Sequence, residues 1–180
     1  LQPGLTVAAF ALGTDALYRY MDHNPLVAIM PASYVNNPWV IGKNYRMVSV
    51  NTAIQVDILG QVCSQTLGTR QFSGTGGQLD THRGAQLSEG GRGIIALRST
   101  AKGGTISTIV PTLALGAAVT VPSQDVDTIV TEYGVAELRG LSVKNRMEAL
   151  IKIAHPDFRD WIREEASRLG IVPDKRYSLS

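Results

Sequence analysis

The fold is decided by the stretch SGTGGQLDTHRGAQLSEGGRGIIALRSTAKGGTISTIV, residues 73–110. Glycines crowd residues 73–93, which predicts a loop, and the apolar run at residues 94–97 predicts a buried strand directly after it. A Lys102-Gly103-Gly104 loop then separates this strand from another predicted at residues 105–110. Short apolar strands joined by glycine-rich loops are typical of an α/β sheet.

The flanking sequence extends the same pattern in both directions. Further strands are predicted at residues 5–12, 26–30, 47–51, 53–59, 117–121 and 127–130. Helices are predicted at residues 15–22, 142–154 and 158–169, where apolar residues recur at helical spacing. Asn36-Asn37-Pro38 predicts a turn. The expected fold is α/β, an open and mostly parallel sheet covered by helices, in a single domain over residues 1–180.

Composition excludes several classes of protein. A formal charge of +2 with scattered basic residues gives no argument for nucleic acid, and no apolar run approaches the roughly 18 residues of a membrane span. The single Cys63 excludes an internal disulfide or a cysteine-based zinc site, and His23 and His82 lack metal-ligand spacing. We therefore expect a cytoplasmic protein without a metal. Because the sequence starts at Leu1 without Met, we also expect a piece of a longer chain.

The run Gly74-Thr75-Gly76-Gly77-Gln78-Leu79-Asp80 is the most unusual local feature. Glycine allows backbone N–H groups to converge on an anion or oxyanion. The run has neither the spacing of a Walker A loop nor that of a Rossmann fingerprint. An ordinary tight loop between strands explains the pattern equally well.

Two other segments place polar side chains after predicted strands. Lys102 follows the strand at residues 94–97, so it is expected at the carboxyl end of the sheet, where it could pair with a phosphate or carboxylate. Glu132 lies between an apolar run and Gly134, which suits an acid, a base or a hydrogen-bond anchor. A solvated turn lysine and a polar strand end are the alternatives, and Asn36 and Asn37 could be turn formers only.

The order of seven motifs carries a resemblance to a known family. They are Ser33-Tyr34-Val35-Asn36-Asn37-Pro38, Val48-Ser49-Val50-Asn51, Gln55-Val56-Asp57 with Gly60-Gln61-Val62, the glycine-rich run at residues 74–80, Ser99-Thr100-Ala101-Lys102-Gly103-Gly104, residues 130–140, and Ala154-His155-Pro156-Asp157-Phe158-Arg159. Together they closely resemble the C-terminal domain of the acetyl-CoA hydrolase/transferase family, from about Leu1 to Leu169. The resemblance implies a fold of the NagB/RpiA/CoA-transferase-like type and a longer two-domain enzyme.

The resemblance also implies an activity and roles for individual residues. The family moves coenzyme A from an acyl-CoA to a small carboxylic acid, such as 4-hydroxybutyrate or acetate, through a glutamyl-CoA thioester. By resemblance, Asn36 and the Gly77 N–H are expected to stabilise the oxyanion and Glu132 to orient the site. Residues Gly76, Gln78, Lys102 and Gly103 are expected to contact coenzyme A. The implied partners are acyl-CoA, small carboxylates and an N-terminal CoA-transferase domain; a homo-oligomer is possible, and the sequence does not give the oligomeric state.

The resemblance places the nucleophilic glutamate upstream of Leu1, and none of the six glutamates of this chain occupies that place. The chain alone is therefore expected to be inactive. Thr81-His82 departs from the family's apolar pattern, which suggests either a more polar acceptor, such as a hydroxy- or dicarboxylate like itaconate, or side chains that face solvent. Acetyl-CoA hydrolysis and a non-catalytic CoA-binding module remain alternative functions.

Overall fold

A computed structural model of the chain describes residues 1–171 and shows a mixed α/β architecture. The strands are β1 (Thr6–Ala8), β2 (Val27–Ile29), β3 (Val48–Asn51), β4 (Gln55–Asp57), β5 (Val62–Cys63), β6 (Thr66–Leu67), β7 (Arg70–Gln71), β8 (Arg92–Ala96), β9 (Thr100–Ala101), β10 (Ile106–Ser107), β11 (Ile109–Val110), β12 (Thr128–Thr131) and β13 (Gly134–Glu137). The helices are α1 (Asp15–Met21), α2 (Ala32–Val35), α3 (Pro38–Ile41), α4 (Gln78–Leu87), α5 (Val143–Ile153) and α6 (Arg159–Arg168), with 3-10 segments at Lys102–Gly104 and Pro156–Phe158.

The largest sheet has four strands in the order β13-β12-β8-β3. Strands β3, β8 and β12 are parallel, and β13 returns antiparallel to β12. Ala96 of β8 pairs with Val130 of β12, so the residues that follow these two strands leave the sheet side by side. The remaining strands form small sheets: the parallel pair β1-β2, the mixed sheet β11-β4-β5, and the hairpins β6-β7 and β9-β10.

Helices α4 and α5 pack on the same face of the four-stranded sheet, where the main core lies. Ile95 of β8, Ile129 of β12 and Leu150 of α5 have no exposed surface. Because side chains alternate along a strand, the residues between them point to the opposite face. Val48, Val50 and Val135 lie on that face and are 51%, 64% and 60% exposed. Within residues 1–171 the helices therefore cover only one face of this sheet.

The prediction of a loop over residues 73–93 is wrong, because helix α4 occupies Gln78–Leu87. The glycine within this segment concealed the helix. Gly84 lies inside it, where an added Cβ would come within 2.5 Å of Ile41 Cβ, so the close packing of α3 against α4 requires glycine there. Glycine lowers helix propensity by about 1 kcal/mol, and the sequence pattern cannot show the packing that offsets this loss.

Other predicted elements are shorter than expected or absent. Residues 117–121 form no strand, and Val121 makes only an isolated bridge to Val62. The strand at residues 5–12 is reduced to Thr6–Ala8, and the strand at residues 105–110 is divided into β10 and β11. The Asn36-Asn37-Pro38 turn is the corner between α2 and α3, where the Asn37 side chain accepts a hydrogen bond from Trp39 N–H. No helix within residues 1–171 is long and apolar enough to cross a membrane.

The alternative that the side chains of Thr81 and His82 both face solvent is also wrong. His82 is completely buried under Gly93 of β8, and its Nε2 accepts a hydrogen bond from Asp127 N–H at 3.2 Å. Burial lowers the pKa of His82, and the charges of Asp127 and Asp125 oppose this effect. The Thr81 hydroxyl turns to the same sheet and bonds Ser49 Oγ at 3.0 Å. Helix α4 therefore directs both side chains toward the sheet.

Candidate active site

Glu132 and the start of helix α4, with Gly77 and Gln78, lie at the carboxyl ends of the parallel strands β3, β8 and β12. Loops from adjacent parallel strands converge at such an edge, which is the usual ligand position in α/β sheets. Helix α4 begins at this edge, since the side chain of Gln78 donates to the C=O of Thr52, the residue after β3, at 3.1 Å. The start of α4 and the ends of the strands thus form one continuous region.

The structure brings together Asn36 and Gly77, as the sequence predicts. Gly77 is the N-cap residue of α4, and Asn36 ends helix α2. A Cβ added to Gly77 would lie only 2.6 Å from Cγ and Nδ2 of Asn36 and 2.7 Å from its Oδ1. The Asn36 amide therefore lies directly against the Gly77 backbone, and only glycine permits this distance. The first N–H groups of a helix have no intrahelical partner, so amide donors are concentrated here.

Gly76 and Gln78, which are expected to contact coenzyme A, flank Gly77 at the start of α4. An added Cβ at Gly76 would meet no atom within 4 Å, so crowding does not require glycine there. Its φ of +56° does require it, because this left-handed conformation is unfavourable for other residues. The Gln78 side chain is buried and donates its hydrogen bond to the C=O of Thr52. Gln78 is the first residue of α4, so its backbone N–H has no partner within the helix.

Glu132 follows β12 directly, and both its carboxylate oxygens accept hydrogen bonds from Ser99. The Ser99 hydroxyl donates to Oε1 at 2.6 Å and its N–H donates to Oε2 at 2.9 Å. The hydroxyl bond is the main cause that lowers the pKa of Glu132; the Ser99 N–H and the charge of Arg98 act in the same direction and burial opposes them. Glu132 is exposed and therefore presents a carboxylate at the site.

A shallow cleft at this edge is lined by Glu132, Arg98 and Thr52, among others. Its floor is formed by Ala96 and Val130, which lie on the uncovered face of the four-stranded sheet, and Thr52 lines it opposite Glu132. Thr52 also accepts the bond from Gln78, the residue after Gly77. The carboxylate of Glu132 thus lines this cleft, and the contact between Asn36 and Gly77 lies one residue away from Gln78, which bonds Thr52 in the lining. This arrangement can hold a carbonyl group whose oxygen becomes negative during a reaction.

Lys102 and Gly103 lie apart from this cleft, at the tip of the β9–β10 hairpin. Lys102 has a φ of +48° and Gly103 a φ of +67°, and the Lys102 C=O accepts a bond from the Thr105 hydroxyl at 2.9 Å. Both residues are exposed. The hairpin begins directly after Ser99, so its cation is tethered close to the residue that holds Glu132.

Two residues of the site were not predicted from the sequence, Ser99 and Thr52. Each stands one to three residues after a parallel strand, which is the same position that singled out Glu132. Their position after a parallel strand could have identified them as candidate site residues. Both side chains are uncharged, and the sequence predicts a functional role only for charged residues at such positions. Within residues 1–171 no group of three or more His, Cys, Asp or Glu residues is placed to hold a metal ion.

The structure is that of an α/β protein with a candidate polar site at the carboxyl edge of its sheet. Comparison with known proteins identifies the family. The sequence profile described as the acetyl-CoA hydrolase/transferase C-terminal domain matches residues 13–166. The chain belongs to this family, which confirms the resemblance found in the sequence motifs.

Individual relatives agree with this assignment. The chain is 55% identical over 169 residues to a succinyl-CoA:cyclohexane-1-carboxylate CoA transferase of Geobacter metallireducens, covering 94% of this chain and 39% of the relative. It is 53% identical over 165 residues to a 4-hydroxybutyrate coenzyme A transferase of Clostridium kluyveri, covering 92% and 38%. The crystal structure of RipA from Yersinia pestis superposes with a TM-score of 0.89 at 41% identity, covering 96% and 39%. The chain thus spans about two fifths of the length of these relatives.

Proposed function

We propose that this chain is the C-terminal domain of a longer CoA-transferase that moves coenzyme A between an acyl-CoA and a small carboxylic acid. The observation that carries the proposal is the contact between the Asn36 amide and the Gly77 N-cap of α4. Amide donors fixed at one point are what a reaction through tetrahedral oxyanions requires.

The proposed chemistry uses a glutamate outside this chain as nucleophile. Its carboxylate attacks the thioester carbonyl and releases CoA thiolate, leaving an acyl-glutamyl anhydride. The thiolate then attacks the glutamyl carbonyl, which releases the first carboxylic acid and leaves a glutamyl-CoA thioester. The acceptor carboxylate repeats these two steps in reverse. Each step passes through an oxyanion, for which Asn36 Nδ2 and the Gly77 N–H are the proposed donors.

Glu132 is proposed as an orienting carboxylate that is not itself acylated. Its two oxygens are already engaged by Ser99, which limits the rotation that an attack on a thioester would need. Lys102 and Gly103 on the hairpin, and the backbone of Gly76 and Gln78 at the start of α4, are proposed to contact coenzyme A. Lys102 is exposed and supplies a positive charge for an anionic cofactor.

Hydrolysis of acetyl-CoA is the alternative reaction, and it differs only in whether water reaches the glutamyl-CoA intermediate. The printed names of the two relatives above are those of transferases, which favours transfer. A non-catalytic CoA-binding module is the alternative of another class. The polar acceptor expected from Thr81-His82 loses its basis, because both side chains face the sheet.

The uncovered sheet face supports a second domain in the longer protein. Parallel strands are found almost only in sheets with both faces covered, yet Val48, Val50 and Val135 are more than half exposed on one face. We propose that the rest of the longer protein, the N-terminal CoA-transferase domain, packs here and completes an open, mostly parallel sheet of the NagB/RpiA/CoA-transferase-like type. Changing Val50 to Asp should then weaken the longer protein's stability more than that of this chain, measured by thermal unfolding.

The test of the function uses the longer protein, acetyl-CoA and a panel of carboxylates. Transfer predicts new acyl-CoA products and a CoA adduct on one glutamate outside this chain, found by mass spectrometry after rapid quenching. Release of free CoA without any acceptor would indicate hydrolysis instead, and binding without exchange would indicate a module. An adduct on Glu132 would contradict the role proposed for that residue, and this chain by itself should produce neither product.

A further inference from the structure

Ser99 makes two hydrogen bonds to one carboxylate, and nothing in the sequence pattern assigns it a role. It lies three residues beyond β8, while Glu132 lies one residue beyond β12. The two strands are parallel, and the bond from Leu97 N–H to the Val130 C=O at 3.0 Å extends their pairing to this edge. The strand register therefore sets Ser99 opposite Glu132.

We infer that Ser99 is a positioning residue, which holds the carboxylate of Glu132 in a single orientation at the edge of the cleft. The effect of this positioning on catalysis rests on the CoA-transferase function proposed above. The hydroxyl bond to Oε1 and the N–H bond to Oε2 engage both oxygens from one side. Each oxygen keeps a further lone pair that can face the cleft.

Ser99 is itself held in place, so it can act as a fixed support. Its side chain has no exposed surface, and its C=O accepts a hydrogen bond from Thr108 N–H at 3.0 Å. The Thr108 hydroxyl returns to the C=O of Arg98, the residue before Ser99. Both sides of the Ser99 peptide are therefore anchored to the same neighbouring segment. Because Ser99 is anchored, its two hydrogen bonds restrict the rotation of the exposed Glu132 side chain.

The consequence is an exposed glutamate that behaves as a fixed anion. A free glutamate side chain loses conformational entropy when it must adopt one geometry, and this loss is avoided when the geometry is already imposed. Donors to the charged form also keep the group ionised at lower pH. Arg98 is the one cationic side chain that lines the same cleft among the described residues, and it adds to this preference.

The first test measures the titration of Glu132 in this 180-residue chain. With ¹³C-labelled glutamate there are six side-chain carboxyl signals, and the one that disappears in Glu132→Gln belongs to Glu132. In Ser99→Ala the pKa of Glu132 should rise, because the hydroxyl bond that contributes most to lowering it is lost. The matched control is Ser107→Ala, since Ser107 is also buried but donates to the Ile109 C=O and leaves Glu132 untouched.

Either of two results would contradict the inference that Ser99 holds the carboxylate of Glu132. One is an unchanged Glu132 titration in Ser99→Ala while thermal unfolding shows that the variant is folded. The other needs no variant: a Glu132 that titrates at or above the ordinary glutamate pKa in the wild-type chain has no strong donors, even if Ser99→Ala does not fold.

The second test measures kcat, KM and the pH profile of CoA transfer in the longer protein. Ser99→Ala should lower kcat roughly five- to tenfold with KM nearly unchanged, and the acid limb of its pH profile should move to higher pH. Ser107→Ala should match the wild type. Equal kcat and equal pH profiles for all three overturn the positioning role. A wild-type longer protein that transfers no CoA overturns the proposed function instead, while the titration still decides whether Ser99 holds Glu132.

Discussion

Replacement of Gly77 by alanine tests the candidate site most directly. The new Cβ would lie 2.6 Å from two atoms of the Asn36 amide, whereas ordinary contacts begin near 3.4 Å. The amide must therefore retreat by about 1 Å. The backbone of Gly77, with φ of −92° and ψ of 15°, is accessible to alanine, so no backbone strain is added. The change thus displaces one proposed donor and leaves the start of α4 otherwise intact.

The displacement sets the expected size of the effect. A misplacement of about 1 Å at a catalytic group costs about 100-fold in rate, which corresponds to about 2.7 kcal/mol of transition-state stabilisation. The free energy of unfolding should fall by only about 1 kcal/mol, the low end for overpacking, because Asn36 is half-buried and its amide can turn away. Activity should therefore fall much more than stability.

The assay is the steady-state rate of CoA transfer from acetyl-CoA to a carboxylate in the longer protein, with thermal unfolding measured in parallel. Gly74→Ala is the matched control, since its Cβ would meet no atom within 4 Å and Gly74 has no left-handed φ. In an Asn36→Ala background the alanine at Gly77 should no longer cost stability, because the atoms it would touch are gone. A Gly77→Ala enzyme with kcat/KM within twofold of the wild type would refute the proposed role of this contact.

Three further predictions concern charge, stability and pH. Changing Lys102 to Ala should raise the KM for acyl-CoA in the longer protein, and the ratio to wild type should shrink at high salt because exposed charges are screened; a ratio independent of salt would contradict an electrostatic contact. Changing Leu150 to Ala should lower the free energy of unfolding by about 2–5 kcal/mol in urea denaturation, as Leu150 is completely buried in the core; a loss below 1 kcal/mol would place it outside that core. The folded-state pKa of His82 is lowered, so the unfolded chain binds the extra proton first and stability should fall as the pH drops below about 6.5; in His82→Phe this part of the acid loss should disappear. Asp57 affects the pH dependence of stability with the opposite sign, since burial raises its pKa. It is present in both the wild type and His82→Phe, so it does not alter the difference between them.

The sequence determined the α/β class of the fold, because apolar patterning and turn residues are local properties of the chain. Apolar runs ended by glycine and polar residues located β3, β8 and β12, and the helical spacing after residue 142 located α5 and α6. The motif order was sufficient to indicate the family. The proximity of Asn36 and Gly77 was expected only through that resemblance, and their roles remain proposals.

The tertiary structure decided what depends on close approach between distant segments. Helix α4 forms because Gly84 lets it press against Ile41, and a glycine-rich sequence alone favours a loop. From the sequence alone, His82 could be an exposed side chain. In the structure its ring is buried against Gly93, where a Cβ would leave no room for it. Ser99 becomes part of the site only because parallel pairing sets it opposite Glu132. Propensity and motif act over a few residues, whereas burial and hydrogen-bond partners are set by the packing of the whole chain.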